Sequence, residues 1–336
     1  MDKKHFMWVD IAKALAVVSI IISNTVEDPS DIRTLLVSFG MPLLFITSGF
    51  SMKLARDKSS FFQNLKQDFL KILLPAAIFS VACIALQCAF DGDFSQIVPY
   101  LKTWLISRDE FYFGAGSILW LMLALFLSKT LINLISSAFK TERSELFYVL
   151  LGIAGFYLGQ RNILLPFYFD LALVSMLFME VGIFWRRHED VIEKYRAPLI
   201  LVSLVVWFNI LNEGTVLELP IRYYPNGLIS LAEAIAASFV VCQIAKIFED
   251  CAMESRGLMP GICLSLAAVG RSAVILYFIH CLDELLLGFI WNLRDGTIKM
   301  YALSTILRLA LDLLIFVVIR FTLNIFKPRQ KRKNIV

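Results

Sequence analysis

Long apolar segments separated by short polar loops dominate the hydropathy pattern of this chain. A helix that crosses a membrane needs about 20 consecutive, mostly apolar residues. Such segments occur at about 7–26, 34–52, 70–90, 117–137, 145–160, 163–185, 197–212, 226–248, 272–292 and 299–326. The pattern therefore predicts an all-α protein, a polytopic membrane helix bundle with about ten transmembrane helices.

Composition agrees with that prediction. The chain has 336 residues, of which 58% are hydrophobic and only 18% are charged, a balance typical of integral membrane proteins. No stretch is left over for a soluble domain, so we expect one membrane domain over 1–336 that ends in a basic tail at 327–336. The first apolar segment lacks a small-residue cleavage pattern, which favours a retained helix over a removable signal peptide.

The distribution of charge predicts the topology. Lys and Arg cluster in alternate loops, and the positive-inside rule then places both termini in the cytoplasm. The net charge of +4 follows from those loops, so we expect the lipid bilayer and no nucleic acid as a partner. The six cysteines have neither metal-ligand nor disulfide spacing, and we predict no metal centre. The expected location is the inner or plasma membrane.

The first apolar segment carries unusual polar residues. Asp10 and Lys13 lie near its start and Asn24 near its end. Eleven helical steps from Lys13 to Asn24 make about three turns, so the two side chains share a face about 16 Å apart. Ionisable groups within a membrane usually face a protein interior or a water-filled cavity. The alternative, that Asp10 and Lys13 lie at the membrane interface, is equally compatible with the spacing.

Other ionisable residues fall within later segments. Arg308 and Asp312 are four residues apart, which predicts an ion pair within one helix. His280 precedes Glu284 by one turn, so an imidazole–carboxylate pair is a second candidate. A single histidine in an apolar segment is more commonly a packed, hydrogen-bonded residue. The other two histidines lie among charges on the predicted inner side, so His280 is the expected buried imidazole.

Several stretches together resemble a known family. They are 8–15 (WVDIAKAL), 39–50 (FGMPLLFITSGF), 69–75 (FLKILLP), 119–126 (LWLMLALF), 178–184 (FMEVGIF) and 269–280 (VGRSAVILYFIH). In order and spacing they resemble the acyltransferase-3 family, multi-span enzymes that acylate sugars and cell-surface polymers, and in particular its sugar O-acetylase branch.

The resemblance implies a reaction and its partners. It implies an acyl-CoA donor, most simply acetyl-CoA, that enters from the cytoplasm, and a sugar or polysaccharide hydroxyl as acceptor. Cations of the inner loops are the expected partners of the donor's phosphates: Lys53, Arg56, Lys58 and Lys71. The same cations are also expected from topology alone, and the sequence does not predict an oligomeric state.

One position departs from the family pattern. The family's first helix has a basic residue, ten intervening residues and a histidine that is taken as the catalytic base; here Lys13 matches, but Asn24 holds the histidine position. An amide forms hydrogen bonds but cannot act as the base. Three explanations fit: a natural member that has lost or relocated its base, an engineered His-to-Asn substitution, or a non-catalytic relative. If the chemistry persists, His280 is the remaining buried imidazole.

Two non-enzymatic hypotheses accompany the acyltransferase hypothesis. A transporter or binding protein of the same fold would line a solute path with Asp10, Lys13, Glu233, Asp283 and Arg308. The missing histidine favours that hypothesis, whereas the lack of inverted repeats opposes it. A structural subunit is the third hypothesis, and it predicts that neutralising Lys13 affects assembly alone.

Overall fold

The structure, a computed structural model, describes residues 6–26, 30–106, 115–139, 141–254, 257–287 and 298–325. The predicted basic tail at 327–336 lies outside these residues. The α-helices are Met7–Thr25 (α1), Asp31–Val37 (α2), Gly40–Ser51 (α3), Lys58–Asp68 (α4), Leu74–Asp91 (α5), Ile97–Ile106 (α6), Ala115–Ala138 (α7), Thr141–Gln160 (α8), Phe169–Arg187 (α9), Glu189–Lys194 (α10), Arg196–Glu213 (α11), Ile229–Glu254 (α12), Leu258–Arg271 (α13), Ala273–Leu287 (α14) and Ile298–Ile325 (α15).

Helix α1 is the hub of the bundle. It contacts α2, α3, α12, α13, α14 and α15, and most of its side chains are buried. A helix that is apolar on nearly every side is buried among other helices or spans a membrane, and α1 is enclosed by its neighbours. The unusual polar residues of the first segment therefore lie within the protein.

Glycines allow a very close helix contact between α3 and α9. A Cβ atom at Gly49 would lie 2.0 Å from the carbonyl oxygen of Met179, and one at Gly182 would lie 1.9 Å from that of Ile46. Small residues let the backbones of membrane helices approach closely, and dispersion contacts then hold the helices together. These two glycines belong to the stretches that resemble the acyltransferase-3 family.

The described residues confirm an all-α membrane bundle. Seven helical segments among them are long and apolar enough to cross a membrane, or eight if the bent pair α13 and α14, which meet at 74°, counts as one span. Each of the ten predicted segments contains a helix. The count of ten spans and the cytoplasmic placement of both termini stay predictions.

Helix α11 shows how the outer surface of the bundle suits a bilayer. Its large apolar side chains are exposed, with Leu201, Val205 and Phe208 each more than 60% accessible. So much apolar exposure would be unfavourable in water but is neutral against lipid tails. The protein therefore spans the membrane several times.

Candidate active site

The N-terminal end of α1 is held against α13 by an ion pair. Arg271 Nη1 lies 3.2 Å from Asp10 Oδ2. The preceding residue makes this possible, because a Cβ atom at Gly270 would lie only 1.7 Å from the carbonyl oxygen of Asp10. Asp10 is thus a buried carboxylate with a cationic partner from another helix.

Lys13 points from α1 to the end of α3. Its Nζ donates a hydrogen bond to Ser51 Oγ at 2.9 Å, and Ser51 is the last residue of α3. The chain then continues as an extended segment, residues 52–57, into α4. We call residues 52–58 the basic strip, because they contain three of the four predicted donor-binding cations, Lys53, Arg56 and Lys58.

Amide and hydroxyl side chains hold the basic strip in place. Ala55 N donates to Asn133 Oδ1 at 2.9 Å, and Ser136 Oγ donates to the Ala55 carbonyl at 2.7 Å. Asn64 Nδ2 donates to the carbonyl of Lys53 at 3.0 Å. With its backbone fixed against α4 and α7, the strip presents Lys53, Arg56 and Lys58 as exposed side chains.

Lys71 lies apart from the basic strip. It is exposed within a π-helical turn, Phe69–Leu73, between α4 and α5. Thirteen helical steps separate it from Lys58, which amounts to about 20 Å along the axis. At the end of α4, Asp68 is paired with Lys129 of α7. The structure therefore groups three of the four predicted donor-binding cations and separates the fourth.

Asn24 occupies the other end of α1. Its side chain is half-buried and has no hydrogen-bond partner within the part of the chain that the structure describes. The next residue, Thr25, lies 3.1 Å from Thr305 of α15 through the two hydroxyl oxygens. The end of α1 that carries Asn24 thus lies beside α15, whereas Lys13 lies beside α3.

Four ionisable residues of α14 and α15 form a buried cluster. His280 Nδ1 lies 3.0 Å from Asp312 Oδ2, and Arg308 Nε donates to Asp283 Oδ2 at 2.7 Å. His280 and Asp312 are fully buried, and the other two are nearly so. We call His280, Asp283, Arg308 and Asp312 the buried quartet.

The partners in the quartet differ from those expected. The predicted pair within α15, Arg308 with Asp312, is replaced by bonds from each residue to α14. Glu284, the predicted partner of His280, has a side chain outside the described part of the structure, and Asp312 contacts the imidazole. The spacing of 280 with 283 and of 308 with 312 indicates one polar face on each helix, and that signal could have suggested the cross-helix pairs.

The quartet also has the donor set of a metal site. One ligand atom from each of His280, Asp283 and Asp312 lies within 4.8 Å of the others. The guanidinium of Arg308 already bonds to Asp283, and the Nδ1 atom of His280 is engaged by Asp312. A metal cation would have to compete with the Arg308 guanidinium for Asp283, so this chemistry favours a charge-balanced hydrogen-bond network.

A cavity of about 380 Å³ lies elsewhere, between α7 and the start of α9. Apolar side chains line it, among them Leu73, Phe126 and Phe167. None of the predicted site residues contributes to its wall. It is therefore unrelated to Lys13, Asn24 and His280.

Comparison of the sequence with models of known protein families identifies the family of the chain. A family model described as an acyltransferase domain, acyltransferase-3, matches residues 6–325. The chain belongs to the acyltransferase-3 family. No curated protein and no solved structure matches the chain.

Membership of the acyltransferase-3 family makes this chain a multi-pass membrane acyltransferase in general terms. Transfer of an acyl group to a hydroxyl requires a group that accepts the hydroxyl proton. Asn24 cannot accept it, since an amide is not basic at physiological pH. Among the described side chains, His280 is a buried imidazole with a carboxylate partner, the arrangement that suits proton acceptance.

The residues of the transporter hypothesis have separate partners in this acyltransferase-3 fold. Asp10 pairs with Arg271, and Asp283 pairs with Arg308. Glu233 accepts a hydrogen bond from Asn226 at 3.0 Å. These are separate contacts between different elements, and each one joins parts of the scaffold.

Proposed function

We propose that this protein is an inner- or plasma-membrane O-acyltransferase that moves an acyl group, most simply acetyl, from acyl-CoA to a hydroxyl of a sugar or cell-surface polysaccharide. The observation that carries the proposal is the contact between Lys13 Nζ and Ser51 Oγ at 2.9 Å. It joins the candidate catalytic helix directly to the basic strip. A donor bound by the strip would therefore reach α1.

The basic strip has the chemistry that a coenzyme A donor requires. Coenzyme A carries several phosphate groups, and Lys and Arg bind phosphates through charge-assisted hydrogen bonds. Lys53, Arg56 and Lys58 are exposed on a backbone that Asn133 and Ser136 immobilise. A fixed backbone lowers the entropy lost when the side chains engage the donor. Lys71 lies some 20 Å away along the helix and stays a predicted donor-binding residue.

Lys13 and Asn24 take supporting roles in the reaction. The acceptor hydroxyl attacks the thioester carbonyl carbon, the C–S bond breaks, and coenzyme A leaves as the thiolate. The Lys13 ammonium, about 16 Å from Asn24 along α1, attracts the phosphate groups of the donor. The Asn24 amide orients the acceptor hydroxyl through a hydrogen bond, and Asp10 fixes the N-terminal end of α1 through Arg271.

The test uses the full-length protein in sealed vesicles with labelled acetyl-CoA and a polysaccharide extract of the expressing cells. We expect labelled acetyl in the polysaccharide, either with this chain or with the variant Asn24→His. If neither chain transfers labelled acetyl and neither binds acetyl-CoA, the enzyme hypothesis is rejected. Movement of acceptor across the membrane without any acyl donor would instead favour the transporter.

A charge-reversal variant tests the role of the basic strip in donor binding. We expect Lys53→Glu/Arg56→Glu to weaken acetyl-CoA binding about tenfold or more, since two phosphate contacts become repulsions. The control Lys194→Glu/Arg196→Glu makes the same change of net charge near α10 and should leave the affinity within about twofold. Equal weakening by both variants would mean that only the overall charge attracts the donor.

A further inference from the structure

The buried quartet contains polar atoms without partners. Nε2 of His280, Oδ1 of Asp312 and one terminal nitrogen of Arg308 are buried and make no hydrogen bond within the described part of the chain. Buried polar atoms are nearly always hydrogen-bonded, because an unpartnered one loses its hydration without compensation. Three such atoms lie together in this cluster, so the described residues leave part of its hydrogen-bonding capacity unused.

The contact with Asp312 defines the chemistry of the His280 ring. With Asp312 ionised, its carboxylate only accepts hydrogen bonds, and Nδ1 of His280 carries the hydrogen in the contact with Oδ2 at 3.0 Å. In the neutral imidazole, Nε2 then has a free lone pair. The same arrangement of imidazole and carboxylate prepares a histidine to accept a proton and stabilises the imidazolium that results.

The other two members of the quartet balance the charge around the imidazole. Arg308 and Asp283 neutralise one another at 2.7 Å, so Asp312 is the remaining carboxylate next to His280. When the imidazole accepts a proton, the whole quartet becomes neutral. Low-dielectric surroundings favour a neutral cluster. Of the charged residues on the neighbouring helix α7, Lys129 is paired with Asp68.

The quartet is connected to the end of α1 that holds Asn24. Thr25, the neighbour of Asn24, lies 3.1 Å from Thr305. Thr305 is one helical turn before Arg308 and two turns before Asp312 on α15. Helix α1 also packs directly against α14, which carries His280. The position of the missing family histidine and the buried quartet thus lie on adjoining helices.

From this geometry we infer that His280 is the general base of the transfer, positioned by Asp312, and that it replaces the basic group missing at Asn24. The inference rests on the proposed function. His280 Nε2 accepts the proton of the acceptor hydroxyl while the oxygen forms its bond to the thioester carbonyl carbon. The C–S bond then breaks, and the proton passes from Nε2 to the leaving coenzyme A thiolate. The atoms balance without a metal or a second cofactor.

The decisive variant is His280→Gln in the full-length protein, assayed in vesicles with labelled acetyl-CoA and the same polysaccharide extract. General base catalysis typically contributes about 10²–10⁴-fold. We therefore expect the turnover rate to fall about 100-fold or more while acetyl-CoA affinity stays within about twofold. The control His188→Gln removes an imidazole that packs on Phe184 and should leave turnover unchanged.

A rescue experiment separates proton acceptance from a structural role. We expect the double variant His280→Gln/Asn24→His to recover a measurable part of the lost turnover, because it returns an imidazole to the adjoining helix. If His280→Gln does not fold, Asp312→Asn decides the question: a loss of turnover with retained acetyl-CoA binding supports the inference, and full turnover overturns it.

Other outcomes distinguish this inference from the proposed function. Wild-type turnover in His280→Gln would overturn the inference and leave the proposed function standing. The same holds if this chain transfers no acetyl while Asn24→His does. Failure of every variant to transfer acetyl or to bind acetyl-CoA removes both.

Discussion

Two arginine–aspartate pairs of the same chemistry lie in contrasting parts of the molecule. Arg271 and Asp10 join α13 to the N-terminal end of α1, where the arginine side chain is 40% exposed. Arg308 and Asp283 join α15 to α14 within the buried quartet, where the arginine is 10% and the aspartate 1% exposed. The first pair lies one helical turn from Lys13, whereas the second is enclosed with His280 and Asp312.

The difference in exposure between the two ion pairs suits their surroundings to two different tasks, donor binding and proton acceptance. A partly exposed ion pair contributes little to stability, so the region around it tolerates changes of charge and suits the binding of a charged donor. In an enclosed ion pair, loss of one partner leaves the other as a buried charge, which lowers the stability of the fold. The enclosed region therefore suits a proton acceptor whose position and charge must be fixed.

The largest expected difference in the free energy of unfolding comes from removing the arginine of each pair in turn. We expect Arg308→Met to lower the free energy of unfolding by about 3–5 kcal/mol, because Asp283 loses a buried cationic partner. Arg271→Met should cost about 0–1 kcal/mol. Unfolding in mixed micelles measures both variants. The double variant Arg308→Met/Asp283→Leu should recover most of the loss, and equal losses from the two single variants would contradict the contrast.

A smaller effect is expected from the glycine that lets Arg271 reach Asp10. A Cβ atom at Gly270 would lie 1.7 Å from the Asp10 carbonyl oxygen, whereas one at Gly261 of the same helix meets open space. We expect Gly270→Ala to cost about 1–3 kcal/mol through overpacking. Gly261→Ala should be neutral or stabilise by up to about 1 kcal/mol through helix propensity. Unfolding midpoints provide the comparison, and equal midpoints would exclude close packing of α1 with α13.

The sequence was sufficient to predict the class of fold and the positions of its main helices. Length and hydrophobicity determine whether a segment can cross a membrane, and each predicted segment contains a helix. The sharp bend at Ser272 between α13 and α14 carries no proline or glycine at the break itself. Its angle depends on the packing of α13 against α1, which hydropathy does not encode.

The partners within the candidate site were less predictable. Helical periodicity determines which residues share a face, so it suggested the pair Arg308 and Asp312 on one helix. It does not determine which helices adjoin, and the structure pairs Asp312 with His280 of α14. Likewise, Ser51 and Arg271 are the partners of Lys13 and Asp10 only because α3 and α13 pack on α1.

The smallest effect is expected at the cap of α4, where the basic strip ends. Asp57 Oδ1 accepts hydrogen bonds from Ser60 Oγ at 2.6 Å and from Ser60 N at 2.7 Å. The Ser60 hydroxyl first, and then the backbone amide, lower the pKa of the Asp57 carboxyl from its ordinary 3.8. A lowered pKa in the folded state means that the capping contribution is complete above that ordinary value and is lost as the pH falls through the lower one.

We therefore expect Asp57→Ala to raise amide hydrogen exchange severalfold in the first turn of α4, because the helix loses its N-cap. Asp57→Asn keeps an oxygen acceptor and should give an intermediate rate. Neither change should alter exchange in α14, since Asp57 is exposed and remote from the quartet in sequence. The first turn of α4 could instead exchange as slowly in Asp57→Ala as in the unsubstituted chain. That result would mean that Asn133 and Ser136 alone hold the basic strip, and that the cap adds nothing to its geometry.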